Sequence, residues 1–258
     1  MGRTTFVHMF GRRTTESRKE VIVMIRLDKL LADAGMGTRS QVKEYIRKGL
    51  VTIDGQICKK PEQKVSGREQ ICCQGQAVDY ARHRYYMLHK PQGVITATED
   101  MRERTVLDLL TGLNTTDISP VGRLDKDTEG LLLLTNDGEL AHRLLSPKYH
   151  VDKCYLVRTA RPVEAKALET LERGVDIGDE KPTLPARAQL NAQGELLLTI
   201  REGRYHQIKR MLRAVDNEVL YLKRLSFGSL TLPEDLEAGA FRPLTAEEQE
   251  KLRHDISR

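Results

Sequence analysis

Gly122-Arg123-Leu124-Asp125-Lys126-Asp127-Thr128-Glu129-Gly130-Leu131-Leu132-Leu133-Leu134-Thr135-Asn136-Asp137-Gly138 joins a glycine-flanked acidic loop to a short, wholly apolar run. Four leucines closed by Asn-Asp-Gly are too few for a helix of ordinary length, so the pattern predicts a core strand. The same ending predicts a tight turn in which Gly138 takes a positive φ. Asp125 then stands just before a rigid element, where a scaffold holds a reactive group most firmly. Most loop aspartates instead cap helices or pair with neighbouring cations, here Arg123 and Lys126. The rest of the chain favours the reactive role.

The 258 residues suffice for one large core or two modest ones, and 39% hydrophobic with 31% charged is the balance of a folded, soluble protein. Forty-two Lys and Arg against 37 Asp and Glu give a net charge of +5. Gathered on one face, such an excess implies a polyanionic partner. Cys58, Cys72, Cys73 and Cys154 form no Cys-x-x-Cys pair, so neither a metal site nor a disulfide framework is expected, and a reducing cytoplasm fits. No apolar run approaches the ~20 residues that a membrane span needs. Residues 1–24 lack both an apolar signal core and a periodic pattern and are expected to form a flexible leader, with Met24 a plausible alternative start.

From residue 25 the pattern becomes regular. Leu27, Leu30, Leu31 and Ala34 fall at helical spacing before Gly35 and Gly37. Ser40 is expected to cap a second helix with Val42 and Ile46 on its apolar face, ended by Gly49. Leu50 to Ile53 and Gln56-Ile57 flank Asp54-Gly55, a strong hairpin signal. Arg39, Lys43 and Arg47 recur four apart on the second helix, opposite its core positions, and predict an RNA-binding face. The stretches Arg26-Leu27-Asp28-Lys29-Leu30-Leu31, Thr38-Arg39-Ser40 and Gly49 to Gly55 resemble the RNA-binding domain named after ribosomal small-subunit protein four. The resemblance spans residues 25–72.

Residues 73–84, including Gln74-Gly75-Gln76-Ala77, lack periodicity and are expected to be a linker. The larger domain, 85–258, opens with a strand at Tyr85 to Leu88, ended by Lys90-Pro91-Gln92-Gly93, and a second β-favouring run follows at 94–98. Helices are predicted at 105–110, 139–145, 163–171 and 206–214, a strand at 155–157, and a hairpin about Gln193-Gly194. Strands interrupted irregularly by helices argue for an α+β class. The expected architecture is a mixed, mainly antiparallel sheet with flanking helices, preceded by a small α+β RNA-binding domain.

Arg201-Glu202-Gly203-Arg204-Tyr205-His206-Gln207-Ile208-Lys209-Arg210-Met211 is a second dense polar cluster, joining a strand to a helix. Its cations could bind phosphate, or one could pair with a buried carboxylate. His206 reads as a capping or substrate-contacting residue outside the catalytic set. Together with Gly122 to Gly138, Lys153-Cys154-Tyr155-Leu156-Val157, Lys90 to Gly93 and Phe241 to Thr245, this cluster resembles the successive motifs of ribosomal RNA pseudouridine synthases, in particular the small-subunit (16S) subfamily.

That resemblance implies that Asp125 is the catalytic aspartate, Tyr155 the aromatic residue at the target base, and Lys209 the cation beside the aspartate. It implies RNA contacts from Arg39, Lys43, Arg47, Arg123, Arg204 and Arg210. The implied activity is isomerisation of a uridine in small-subunit ribosomal RNA, without metal, nucleotide or other cofactor, by a cytoplasmic monomer. Its partner would be the RNA itself or a partly assembled small ribosomal subunit. Many synthases carry arginine where Lys209 stands, and lysine is common in the small-subunit subgroup. The rival expectations are the same reaction on large-subunit ribosomal RNA and a non-catalytic RNA-binding assembly factor.

Overall fold

The structure is a computed structural model that describes residues 24–66, 69–78 and 83–257. Apart from Met24, the expected leader lies outside the described residues, as do residues 79–82 of the expected linker. The chain divides into two compact units, Met1–Tyr80 and Ala81–Arg258.

In chain order the small unit contains β1 (Ile25–Arg26), α1 (Leu27–Asp33), α2 (Arg39–Arg47), β2 (Val51–Ile53), β3 (Gln56–Ile57), β4 (Lys64–Val65), β5 (Ile71–Cys73) and β6 (Gln76–Ala77). Leu27, Leu30 and Leu31 of α1 and Val42 and Ile46 of α2 close on Val51, Val65, Ile71 and Cys73 in one core, as their helical spacing predicts. The cap of α2 is Thr38, not Ser40. The Thr38 hydroxyl accepts from the Gln41 amide at 3.3 Å and the Gln41 side chain accepts from the Thr38 amide at 2.8 Å, a reciprocal capping box. Asp54 and Gly55 turn the β2–β3 hairpin at φ 49° and 80°. Gln74 and Gly75 repeat that turn at φ 53° and 80°. Residues 73–77 of the expected linker therefore belong to a second hairpin, whose strands are too short to carry a periodic signal.

The large unit contains β7 (Tyr85–Lys90), β8 (Ser119–Pro120), β9 (Glu129–Thr135), α3 (Gly138–Leu145), β10 (Lys153–Thr159), α4 (Ala165–Arg173), β11 (Arg187–Leu190), β12 (Leu196–Ile200), α5 (Gln207–Ala214), β13 (Val219–Phe227), β14 (Leu230–Thr231), β15 (Phe241–Pro243) and α6 (Ala246–His254). One sheet runs in the order β11-β12-β10-β13-β9-β7-β15, with β8 beside β9 and β14 beside β13. Strands β13 and β9 pair parallel, and the other described pairings in this sheet are antiparallel. Leu132 and Leu134 enter a core with Tyr155, Val157 and Leu198, whereas Leu131 and Leu133 enter another with Met87, Phe227 and Leu252. Burial on both faces explains why the leucines are consecutive rather than alternating.

Three expectations change. Gly138 does not make a positive-φ turn; it is the first residue of α3, whose N-cap Asp137 accepts from the Leu140 amide at 3.0 Å. Residues 94–98 form no regular strand, only a bridge between Ile95 and Thr105. The helix expected at 105–110 is a single 3-10 turn, Leu107–Leu109. Strand β13, at the middle of the sheet, escapes sequence reading because Lys223 and Arg224 interrupt its apolar pattern. Yet Arg224 is buried, and its Nε donates to the Leu131 carbonyl at 2.7 Å, tying β13 to β9. No helix among the described residues is long and apolar enough to cross a membrane.

Gly130 sits where β9 begins to run beside β13, opposite Arg224, with φ at 116°. A Cβ there would overlap the Arg224 carbonyl and amide, so both the conformation and the strand approach require glycine. Gly130→Ala is expected to destabilise the large unit by about 2–4 kcal/mol. Urea unfolding followed by circular dichroism reads this directly; a change below about 0.5 kcal/mol would mean that the two strands can part without loss.

Candidate active site

The acidic loop before β9 is held from several sides. Lys90, fully buried at the end of β7, donates through Nζ to the carbonyls of Pro91 at 3.0 Å, Asp125 at 3.0 Å and Thr128 at 2.8 Å. Burial pushes its ammonium down to about 8, against the opposing pull of Asp127 and Asp125. The Thr96 hydroxyl donates to the Leu124 carbonyl at 2.7 Å and accepts from the Leu124 amide at 3.1 Å. The Gly93 amide reaches the Lys126 carbonyl at 2.8 Å, and the Thr128 amide closes the loop on the Asp125 carbonyl at 3.0 Å. Lys90-Pro91-Gln92-Gly93 thus acts as a backbone grip on Asp125.

Helix α5 brings the cation. Lys209 Nζ lies 3.2 Å from Asp125 Oδ2 and 2.6 and 2.8 Å from the two oxygens of Asp127. His206, at the helix start with φ 48° and ψ 34°, places Nε2 3.7 Å from Asp125 Oδ1. Burial works against the Lys209 charge, but the hydrogen bonds it donates to Asp127 and Asp125 outweigh that and raise the ammonium above its ordinary value. Burial likewise works to raise Asp127, and Lys209 overcomes it, holding the carboxyl below the usual range. The local alternatives for Asp125 are not taken: Lys126 pairs with Glu103 at 2.7 Å, and Arg123 is exposed. The Asp125 side chain is 33% exposed, so the carboxylate faces solvent.

Tyr155 stands in β10 between Leu198 of β12 and Arg224 of β13. Only 7% exposed, it belongs to the core that also contains Leu124 and Ile208, the neighbours of Asp125 and Lys209. The structure therefore joins Asp125 and Lys209 directly and sets Tyr155 in the core shared by their neighbours.

Arg204 and Arg210, expected to face phosphate, instead fasten the 177–182 loop. Arg204 donates to the carbonyls of Lys181 at 2.6 Å and Pro182 at 2.8 Å and to Glu202 at 2.9 Å. Arg210 donates to the Ile177 carbonyl at 2.6 Å and pairs with Asp179. Their guanidinium donors are largely engaged within the fold.

In the small unit, Arg39 and Lys43 converge on Asp28, each 3.9 Å from it, while Arg47 lies exposed farther along α2. Asp28 is fully buried and takes a two-pronged contact from Arg26, at 3.0 and 2.9 Å. The Arg26 hydrogen bond, opposed by burial, holds the Asp28 carboxyl below its usual range. Sequence reading misses Asp28 as the centre of this basic face, and misses Asp127, Thr96 and the Lys90 grip at the acidic loop; His206, read as a capping or substrate-contacting residue, makes no side-chain cap bond and stands beside Asp125. Lys90 and Asp127 lie within the motifs that carry the family resemblance, but only the folded backbone shows what they touch.

A loop carboxylate bridged to a helix lysine can serve as nucleophile or base, and the small unit carries a basic face. The family model for RNA pseudouridylate synthase matches residues 84–214, and that for the S4 domain matches residues 25–71. The chain is 49% identical over 230 residues to the uncharacterized RNA pseudouridine synthase YtzG of Bacillus subtilis, covering 87% of this chain and 96% of that protein. It is 42% identical to ribosomal small subunit pseudouridine synthase A of Vibrio cholerae, covering 87% and 97%. Against ribosomal large subunit pseudouridine synthase B of Bacillus subtilis it is 39% identical, covering 89% and 96%. A crystal structure of a pseudouridylate synthase, 40% identical, superposes with a TM-score of 0.63 over 88% of this chain and 99% of that one. The chain belongs to the RNA pseudouridylate synthase family, with an S4 domain ahead of the synthase domain, and is an isomerase that converts uridine in RNA to pseudouridine.

Removing the shared cation tests the charge arrangement. In Lys209→Met, Asp125 and Asp127 face each other without it, and the Asp127 carboxyl is expected to titrate higher than in the native chain. Because native Asp127 is depressed, its stabilising contribution is present above the unfolded value near ~4 and is lost as pH falls through the lower folded value. Lys209→Met should lack that acid-side loss and fall in turnover by about 100-fold or more. Carboxyl NMR titration paired with acid unfolding checks both; an unchanged Asp127 titration would remove Lys209 from the account.

Proposed function

We propose that this synthase isomerises a uridine of small-subunit (16S) ribosomal RNA, with Asp125 as the catalytic carboxylate, Lys209 as its charge partner and Tyr155 as the residue that stacks on the target base. The observation that carries the site is the contact between Asp125 and Lys209 on a loop whose backbone is gripped by Lys90 and Thr96. A carboxylate held this way can serve as nucleophile or base while its neighbour balances the charge. In the reaction the bond from the ribose C1′ to the ring nitrogen N1 breaks. The uracil then turns, C5 bonds to C1′, and the C5 proton leaves as N1 regains one. Atoms and oxidation state are unchanged overall. Tyr155 can hold the detached ring by stacking and assist removal of the C5 proton.

The small-subunit assignment is supported by the similarity to the Vibrio cholerae enzyme and by lysine, rather than arginine, at position 209. The similarity to a large-subunit enzyme favours the second reading, the same reaction on large-subunit RNA. The enzyme is taken to act in the cytoplasm as a monomer on ribosomal RNA or a partly assembled small subunit. Arg39, Lys43 and Arg47 of the S4 domain, with Arg123 at the catalytic loop, would supply phosphate contacts. Arg204 and Arg210 are reassigned to holding the loop that flanks α5.

Mapping pseudouridines across both ribosomal RNAs in cells with and without the protein decides the substrate. A site lost from the small-subunit RNA is expected, and a site lost only from the large-subunit RNA overturns the assignment. Asp125→Asn is expected to abolish turnover while keeping RNA affinity within several-fold, because the amide preserves shape but neither attacks nor accepts a proton strongly. Activity within several-fold of the native enzyme would sink the catalytic role.

The S4 domain admits a separate test. Because Arg39 and Lys43 neighbour Asp28, reversing them to acid would bring like charges together, so neutral replacements are the cleaner choice. Arg39→Gln, Lys43→Gln and Arg47→Gln combined should raise KM more than they lower kcat. They should also reduce the salt dependence of binding by about 0.7–0.9 in slope for each phosphate that is no longer neutralised. An unchanged slope would make the basic face of α2 an ordinary solvated surface.

A further inference from the structure

Tyr205 presents an aromatic ring to solvent at the start of α5, 77% exposed. It is stacked on the His206 imidazole, with ring centroids 3.8 Å apart and planes 20° from parallel. The same imidazole carries the Nε2 that lies 3.7 Å from Asp125 Oδ1. Carboxylate, imidazole and phenol ring therefore follow one another outward from the site.

The backbone that carries the ring is held in place, and the stack on His206 orients the ring although it is exposed. His206 takes a left-handed conformation that a non-glycine residue adopts uncommonly, with φ 48° and ψ 34°. Arg210 Nη1 donates to the Tyr205 carbonyl at 3.2 Å. On the other side, the Gln207 side chain accepts from the Arg204 amide at 2.9 Å, and the Gln207 amide donates to the Arg204 carbonyl at 3.2 Å. The turn is thus fastened at both ends, by arginine and glutamine side chains whose polar groups are occupied in doing so. An exposed aromatic ring fixed in advance loses little freedom when another planar group settles on it.

We propose that the Tyr205–His206 stack is the platform for a nucleobase adjacent to the target uridine, a subsite for the RNA strand outside the catalytic pocket. This rests on the isomerase acting on an RNA uridine. Extruding that uridine towards Asp125 deprives its neighbour of a stacking partner. Tyr155, buried in the sheet, belongs to the target ring itself, whereas Tyr205 is open on the rim where a neighbouring base remains. Stacking on an aromatic ring tolerates any base, so the platform compensates for the missing stack without imposing a sequence.

The test uses the full chain and transcribed small-subunit ribosomal RNA, with Tyr205→Phe and Tyr205→Ala. Because the side chain is exposed, both variants should melt with the native protein. Tyr205→Phe keeps the ring and should stay within about 2-fold of native KM and kcat, whereas Tyr205→Ala should raise KM by about 10-fold or more. A KM for Tyr205→Ala within 2-fold of native, or a Phe variant as impaired as the Ala variant, overturns the platform. A single-stranded oligouridine containing 2-aminopurine supplies a readout independent of the natural substrate. Native protein and Tyr205→Phe should quench its fluorescence on binding and Tyr205→Ala should not, while equal quenching by all three overturns the proposal. If native protein quenches but modifies no small-subunit uridine, the substrate assignment fails while the stacking role stands.

Discussion

The Lys90 ammonium, buried at the end of β7 and bonded to the carbonyls of Pro91, Asp125 and Thr128, fixes the backbone on which the Asp125 carboxylate is mounted. A lysine buried without a carboxylate in direct contact is unusual, because desolvation disfavours its charge. Three carbonyl dipoles meet the ammonium here, and the nearby Asp127 and Asp125 charges add to them. The loop cannot slide without leaving that cation unpartnered, so Asp125 keeps its position although its side chain is open to solvent. Thr96 adds a two-way contact with Leu124 that fixes the residue before the carboxylate. This is the kind of support a site needs when the reacting group has few contacts of its own.

Much of this is legible in residue order. The alternation of helix and hairpin signals from Leu27 to Ile57 marks the small unit, and four leucines beside a glycine-flanked aspartate mark the central strand and its loop. What stays hidden depends on contacts between distant segments. Strand β13 carries Lys223 and Arg224, which read as surface residues until Arg224 is seen buried with Nε on the Leu131 carbonyl. Asn136-Asp137-Gly138 reads as a tight turn, but Asp137 is the cap of α3, which follows at once. Arg204 and Arg210 look like phosphate ligands by type and spacing. Only the path of the 177–182 loop shows that its carbonyls and Asp179 claim them.

Asp28 and Asp125 show how one side chain serves opposite ends. Asp28 is fully buried, Arg26 occupies both its oxygens at hydrogen-bond distance, and Arg39 and Lys43 stand close by. Its lone pairs are committed, and it gathers Arg26, Arg39 and Lys43 about one point. Asp125 has Lys209 close by, and that cation sits nearer to Asp127 than to Asp125. Asp127 therefore takes the stronger ion pair and leaves Asp125 oriented but not saturated. A carboxylate enclosed like Asp28 would be stable and inert, and one with no cation would repel the phosphates its substrate brings. Sharing Lys209 between two acids places Asp125 between these limits, with a positive charge beside it and lone-pair capacity left free.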